Sequence, residues 1–408
     1  MLKRLARNYV DSFAGLPRPA WILATVLLVN TSGTMVVFFL VLYLSRQLGW
    51  AVATAGLAMS SYGGGMLVGT LAGGTLSDRL GAFRVQRLSL CCAGVTLVVL
   101  SYLHSVPTVL AATALWGFFA SALFPANAST MASLCPESVR ARGFVLLRLA
   151  SNLGATVGPV VGGFLATVDY RLLFWVDGVT SVLAAGAMLW CFPASRPDLS
   201  TAAPASPSDG HAAWWRDGVF LGILSASVGV AIVFSQVFST FGMYLKESCG
   251  LSEPQIGVLL TVNTALIVLV QMPLTHAVER WSRTGMAACG TLLLAAGFGV
   301  MPLSESAAFV ALTVAIWTFG EMLTMPALTT LVSFRAPAGA QGRYQGLFSM
   351  SFSVGIVAGP ALGTRLYVLG GGTALWTSVG GLAVAITALL LAVARTWDGR
   401  ATETTARP

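Results

Sequence analysis

Apolar residues run along this chain in long unbroken stretches, with neither the strict alternation of a half-buried strand nor the one-sided stripe of a soluble helix. They recur near residues 21–44, 51–76, 88–106, 109–132, 144–168, 172–192, 219–243, 256–277, 285–303, 307–332, 344–369 and 373–394. A helix needs about 20 such residues to cross a hydrocarbon core of about 30 Å. Transmembrane strands would leave short alternating segments, and backbone groups in lipid must be satisfied within their own segment, so the pattern predicts helices. The expected fold class is all-α integral membrane, with twelve transmembrane helices. The longest polar stretch, 193–216, carries Pro193, Pro197, Pro204 and Pro207 among Ser, Ala and Asp, a composition that resists packing. It separates a bundle of six helices at 21–192 from another six at 217–394. A basic, partly amphipathic segment (1–20) precedes them and a short tail (395–408) follows.

The halves repeat each other. Adding 201 to a residue number pairs Tyr43 with Tyr244, Gly56 with Gly257, Arg79 with Arg280, Trp116 with Trp317, Pro125 with Pro326 and Arg142 with Arg343. The run Gly154-x-x-x-Gly158-Pro159-x-x-Gly162 falls on Gly355-x-x-x-Gly359-Pro360-x-x-Gly363. One constant shift across many spans predicts two pseudo-symmetric six-helix bundles of the same orientation. Bundles related in this way rock against each other around a site near mid-bilayer.

Composition agrees with lipid as the solvent: 56% of the 408 residues are apolar and 9% charged, against about 25% charged in soluble domains. The net charge of +8 is a matter of topology. With the N-terminus in the cytoplasm, only Arg46, Arg171, Lys246 and Arg365 fall on the outer side, Arg148 lies within a span, and the other basic residues are cytoplasmic. That bias puts both termini inside and removes any need for a nucleic-acid partner. The first apolar run is too long for a signal-peptide core and stays as a span. Cys91, Cys92, Cys135, Cys191, Cys249 and Cys289 have no metal or redox spacing, and His104, His211 and His276 are isolated. There is no phosphate-cradling G-x-x-x-x-G-K-[ST], and Ser60–Gly65 reads as close helix packing. No catalytic constellation appears, so neither an enzyme nor a cofactor is expected.

Gly74-Thr75-Leu76-Ser77-Asp78-Arg79-Leu80-Gly81-Ala82-Phe83-Arg84 follows the second span. It resembles the G-x-L-x-D-R-x-G-x-x-R pattern of the major facilitator superfamily; the second-half copy keeps only Glu279-Arg280. The resemblance implies a cytoplasmic gate in which Asp78 docks on the positive N-terminus of the eleventh span, near residues 342–345. Gly154, Gly158, Pro159, Gly162 and Gly163 resemble the motif of twelve-span drug:proton antiporters, which implies export over uptake. The same glycine stripe also suits plain helix packing. One departure stands out: Thr113 precedes Gly117 by four residues where the family usually has arginine, which withholds the usual proton-relay assignment.

Ionisable groups inside spans cost about 2.5–3.5 kcal/mol on insertion scales and therefore mark function or a partner. Glu321, in the middle of the tenth span, is the first candidate for proton coupling, and its Gly-Glu pair also resembles multidrug members of the superfamily. Asp177 is the second; capping, facing water and pairing with Arg171 are the other readings. Arg148, with Asn152 four residues on, can hold an anionic group, pair with a carboxylate, or snorkel to the surface. The family's cavity is lined by spans one, four, seven and ten, beside two, five, eight and eleven. This implies Asn30, Thr34, Trp116, Phe119, Asn127, Gln236, Asn263 and Gln271 as lining, with Arg148 and Asn152. The expected function is a proton-coupled exporter of small lipophilic compounds, working as a monomer in the bacterial inner membrane. Its partners would be a small-molecule substrate, protons and the bilayer. A dedicated exporter of one metabolite, such as a siderophore or natural product, is the alternative. A non-transporting sensor or a lipid enzyme would need a domain or constellation that the sequence lacks.

Overall fold

A computed structural model describes residues 15–192, 214–278, 280–337 and 340–405. Most of the amphipathic segment, nearly all of the linker and the end of the tail expected from composition lie outside the described residues. The described chain is helical throughout: α1 (Arg18–Gly33), α2 (Val36–Leu42), α3 (Val52–Leu80), α4 (Ala82–Leu100), α5 (Val106–Leu134), α6 (Glu137–Val168) and α7 (Arg171–Cys191). There follow α8 (Gly218–Ser239), α9 (Phe241–Glu247), α10 (Glu253–Ala277), α11 (Arg283–Gly299), α12 (Ala307–Arg335) and α13 (Gln341–Thr405). Ten stretches are long and apolar enough to cross a membrane. One of them, Arg343–Trp397, is interrupted inside α13 by non-helical backbone at Gly370 and Gly371. The all-α membrane fold expected from the pattern is the one the chain adopts.

Two details depart from the sequence reading. The Gly74–Arg84 motif is less of a loop than expected, because α3 continues through Asp78 and Arg79 to Leu80. Gly81 alone makes the turn, at φ +87°, a conformation that costs other residues dearly. The stretch 21–44 is also not one helix: Thr34 is extended (φ −71°, ψ 94°) and separates α1 from α2.

Packing divides the chain into two units. The first holds Met1–Phe39, Ser61–Ser200 and Glu253–Thr264; the second holds Leu40–Ser60, Thr201–Ser252 and Ala265–Pro408. In the first unit, Gly154, Gly158 and Gly162 form one stripe of α6. A Cβ there would land on Thr31, on the Thr34 carbonyl and on Met35. Gly163, on another side of α6, lies against the Glu253 carbonyl and Pro254 at the start of α10. Gly65, Gly69 and Gly73 of α3 likewise meet the backbone of α5 at Ala114, Phe118 and Ala122. Of the Ser60–Gly65 stretch, Gly65 takes part in this close packing, whereas a Cβ at Gly64 would meet nothing within 4 Å.

The second unit repeats this arrangement on its own residues. Gly359 lies against Ser235 as Gly158 lies against Thr34, and Gly363 against Gln236 as Gly162 lies against Met35. Each pair of contacts differs by 201 residues, so the sequence repeat extends to the helix seams. At one end of this unit Asp217 caps α8, accepting from Phe220 N at 3.2 Å, and takes both prongs of Arg335, at 2.6 and 2.8 Å. The guanidinium also lies 5.6 Å from the Trp397 ring centre. Burial alone would raise the Asp217 carboxyl, but the Arg335 and Phe220 bonds outweigh it and hold its pKa below the usual value.

Two predictions follow from these seams and this clamp. Gly158→Val should cost about 2–3 kcal/mol, because its Cβ meets rigid backbone, whereas Gly64→Ala, with nothing within 4 Å, should be neutral or stabilising. Thermal unfolding of the detergent-solubilised protein measures both, and equal melting temperatures would contradict the seam. A carboxyl held low in the fold contributes stability above its unfolded pKa of about 3.9 and loses it as pH falls through the folded value. Below about pH 4 the melting temperature of wild type should drop more steeply than that of Asp217→Asn.

Candidate functional site

The break in the first span creates a polar site inside the first unit. Interrupting a helix frees N–H groups that have no partner one turn earlier. At this break the Asp177 carboxylate takes two of them, with Oδ2 accepting from Met35 N at 3.2 Å and Val36 N at 3.3 Å. Asp177 is only 3% exposed. Of the roles left open by the sequence, capping is the one seen; at the start of the same helix the Arg171 backbone N–H donates to Asp169. Gly33, just before the break, abuts Thr180, whose hydroxyl donates to the carbonyls of Val176 and Asp177. One turn further along α7, Ser181 donates to Asn30 Oδ1 at 3.1 Å, and the Asn30 carbonyl accepts from Thr34 at 3.3 Å. Asn30, Thr34 and Asp177, nominated separately from sequence, thus come together.

Trp116 joins the edge of this cluster. It is buried and lies against the Tyr62 ring, 4.3 Å between centres, and Tyr62 lies within electrostatic reach of Asp177. Gly117 lets this pair form, since a Cβ there would overlap the Tyr62 carbonyl. Phe119 is half-buried, edge-on to Phe118. Asn127 lies apart from the cluster and accepts from the buried Gln86 at 2.6 Å, tying α4 to α5.

The remaining candidates scatter along the helices. Arg148 is exposed, and Asn152, one turn on, is half-buried. Asn263 and Gln271, both half-buried, lie on α10, whose Thr261 donates to the Thr156 carbonyl of α6 at 2.9 Å. Gln236 is 1% exposed and its amide is fully occupied. It donates to Ile232 O and Gly359 O and accepts from Thr240, so it serves the α8–α13 seam in this structure. Glu321 is half-buried on α12. Its neighbour Gly320 abuts Gly290 of α11, and Trp317, one turn earlier, stacks on Phe298 with ring centres 5.2 Å apart. Of the motif residues, Asp78, Arg79 and Arg84 are exposed, and Gly74 and Gly81 half-buried. No cluster of three metal-ligating side chains occurs among the described residues.

Two polar links escaped sequence reading. Arg46 reaches Glu247 at 3.1 Å, and Glu247 also accepts from Tyr367 at 2.9 Å. Arg46 and Glu247 stand 201 residues apart, so the repeat itself would have paired them had equivalent positions been compared for charge as well as identity. The Asp217–Arg335 clamp carried a weaker signal, an acid immediately before an apolar run.

The capping geometry generates a prediction. Asp177→Asn keeps an acceptor and should fold with little loss. Asp177→Leu leaves two buried N–H groups unsatisfied and should cost about 1–3 kcal/mol. Thermal melting of the two variants side by side checks this, and equal losses would contradict the cap.

Comparison with known proteins agrees with this architecture. The family description Major Facilitator Superfamily matches residues 22–350 and, again, 237–408. The chain is 27% identical over 354 residues to the uncharacterized MFS-type transporter YttB of Bacillus subtilis (strain 168), covering 85% of this chain and 88% of that one. It is 26% identical over 386 residues to the multidrug resistance protein MdtH of Aeromonas hydrophila, covering 91% and 94%. Among solved structures it resembles the peptide transporter POT in complex with sulfate (TM-score 0.79, 18% identity, 94% and 96% covered). It also resembles the nucleoside transporter NupG (TM-score 0.78, 12% identity, 92% and 99% covered). At these identities the two structures speak to the fold alone.

Proposed function

Because this chain belongs to the major facilitator superfamily, we propose that it is a proton-coupled exporter of small lipophilic compounds. On this reading the membrane helices form twelve spans in two six-helix bundles, which exchange access to a mid-bilayer site. Two findings support the count. The stretch Arg343–Trp397 is divided at Gly370–Gly371, and α3, of 29 residues, adds to the ten stretches already noted. On this reading the protein lies in a bacterial inner membrane, and the charge bias of the loops supports both termini in the cytoplasm. Export as the direction is supported by the likeness to MdtH, named as a multidrug resistance protein, and by the Gly154–Gly163 motif.

The observation that carries proton coupling is Glu321, a half-buried carboxyl midway along α12, a helix with no other acid. Placing an acid there carries an insertion cost that proton loading and release would justify. A proton arriving from outside neutralises Glu321 and permits return to the inward-open state; release inside resets the cycle. Each charge crossing 100 mV supplies about 2.3 kcal/mol, roughly fifty-fold accumulation per proton. Asp177 is a second proton site on this reading. Its neutralisation would weaken the hold on Met35 and Val36 and loosen the break in the first span.

Glu321→Gln should lower pH-driven dye efflux from proteoliposomes at least tenfold while leaving gradient-free counterflow intact. Efflux that still follows the pH gradient at the wild-type rate would remove Glu321 from the mechanism.

A further inference from the structure

Of the three arginines of α6, Arg148 is the one that lies within the apolar span, and it is exposed. Leu153, Val157, Val161, Phe164 and Val168 are 37–77% exposed and form the apolar face expected of a helix against lipid. At about 100° per residue the centre of that face lies about 180° from Arg148. The Gly154–Gly158–Gly162 stripe, facing α1, occupies a third side. Arg148 is therefore exposed on the side of α6 opposite that row of apolar residues. It has no hydrogen bond or ion pair among the described residues.

Asn152, one turn on and about 40° around the helix, has a side-chain amide that is likewise unengaged among the described residues. Two turns on from Arg148, the Thr156 carbonyl takes the Thr261 hydroxyl, marking where α10 closes over this flank. Exposed Phe144 and Val145, about one turn before and three residues before Arg148, lie on either side of it on the helix. A charge with an amide beside it and an apolar side chain on either side is the complement of an amphipathic anion.

The internal repeat supplies a control. Ser349 and Ser353 stand at the positions equivalent to Arg148 and Asn152. The seam contacts recur in both units, so packing does not demand a cation at this register.

We propose that Arg148, assisted by Asn152, is the specificity-determining contact for an anionic head group, and that the cargo is an organic anion on a lipophilic body. This rests on the export reading and narrows it from lipophilic compounds in general to carboxylates, sulfonates or phosphates. A guanidinium offers a planar fork suited to such groups, which lysine reproduces only as a point charge.

The test uses two dyes that differ by one anionic group, N-phenyl-1-naphthylamine and 1-anilinonaphthalene-8-sulfonate. Their binding is measured to the full chain in phosphatidylcholine nanodiscs, with empty discs subtracted. Arg148→Gln should weaken the sulfonate about tenfold to a hundredfold, the loss of one charge-assisted contact, and leave the neutral dye unchanged. Arg148→Lys should fall between and serves where the glutamine variant folds poorly. Equal sulfonate affinity in wild type and variant, or a wild-type preference for the neutral dye, would overturn the assignment. Transport is read separately. Should wild type bind the sulfonate through Arg148 while a pH gradient moves neither dye, the export reading fails and the anion site stands.

Discussion

Helices in lipid gain little by burying apolar surface against one another, because the surrounding tails are equally apolar, so association relies on close packing and interhelical hydrogen bonds. In this chain that constraint is met by glycine stripes that bring backbones into contact. Gly154, Gly158 and Gly162 seat the first span against α6, and Gly359 and Gly363 seat α8 against α13. A single added Cβ at these places comes within 3 Å of an atom of the facing span. The Asn30–Thr34–Asp177 cluster of the first unit is arranged beside that seam. The first span must come close enough to α6 for Gly158 to touch the Thr34 carbonyl, and Thr34 is where the span breaks.

The break creates freed N–H donors in a water-poor interior, and each would cost about 1–3 kcal/mol if left alone. Asp177 supplies one oxygen for two of them. A carboxylate is a strong acceptor here, and Asn30, Thr180 and Ser181 complete a connected network across α1 and α7. In the second unit α8 and α9 are separated at Thr240, which keeps its backbone bond to Gln236, and from it the neutral Gln236 amide accepts only the hydroxyl. One unit thus carries a titratable group at its break and the other does not.

Much of the fold was legible in the sequence because the bilayer leaves so few options. Apolar run length alone located the helices, and the glycine repeat located the seams. Helix ends and breaks were less visible. Nothing in Asn30–Val36 is a breaker of proline strength, and the interruption at Thr34 depends on Asp177, far away in sequence, to satisfy it. Of the candidate site, Asn30, Thr34, Asp177 and Trp116 come together, whereas Asn127 and Gln236 bind neighbouring helices. Composition could not separate these cases. An amide in a span is equally polar whether it faces a cavity or bridges a seam, and both sides of a membrane helix are apolar.

The repeat offers a finer criterion than polarity. Where both halves carry the same residue type at equivalent positions, packing accounts for it, as at Gly158 and Gly359. Chemistry specific to the cargo or to coupling should instead fall where the halves diverge. Arg148 stands opposite Ser349, Asp177 opposite Ser378, and Glu321 opposite Ala120. All three are ionisable, and in each case the equivalent residue of the other half is uncharged. Two acids and one base, each present in only one copy, break the internal symmetry. A duplicated scaffold supplies two interchangeable sets of seams, but a transport cycle must tell proton from cargo. Charges placed in one copy and absent from the other are the simplest way for the same helices to make that distinction.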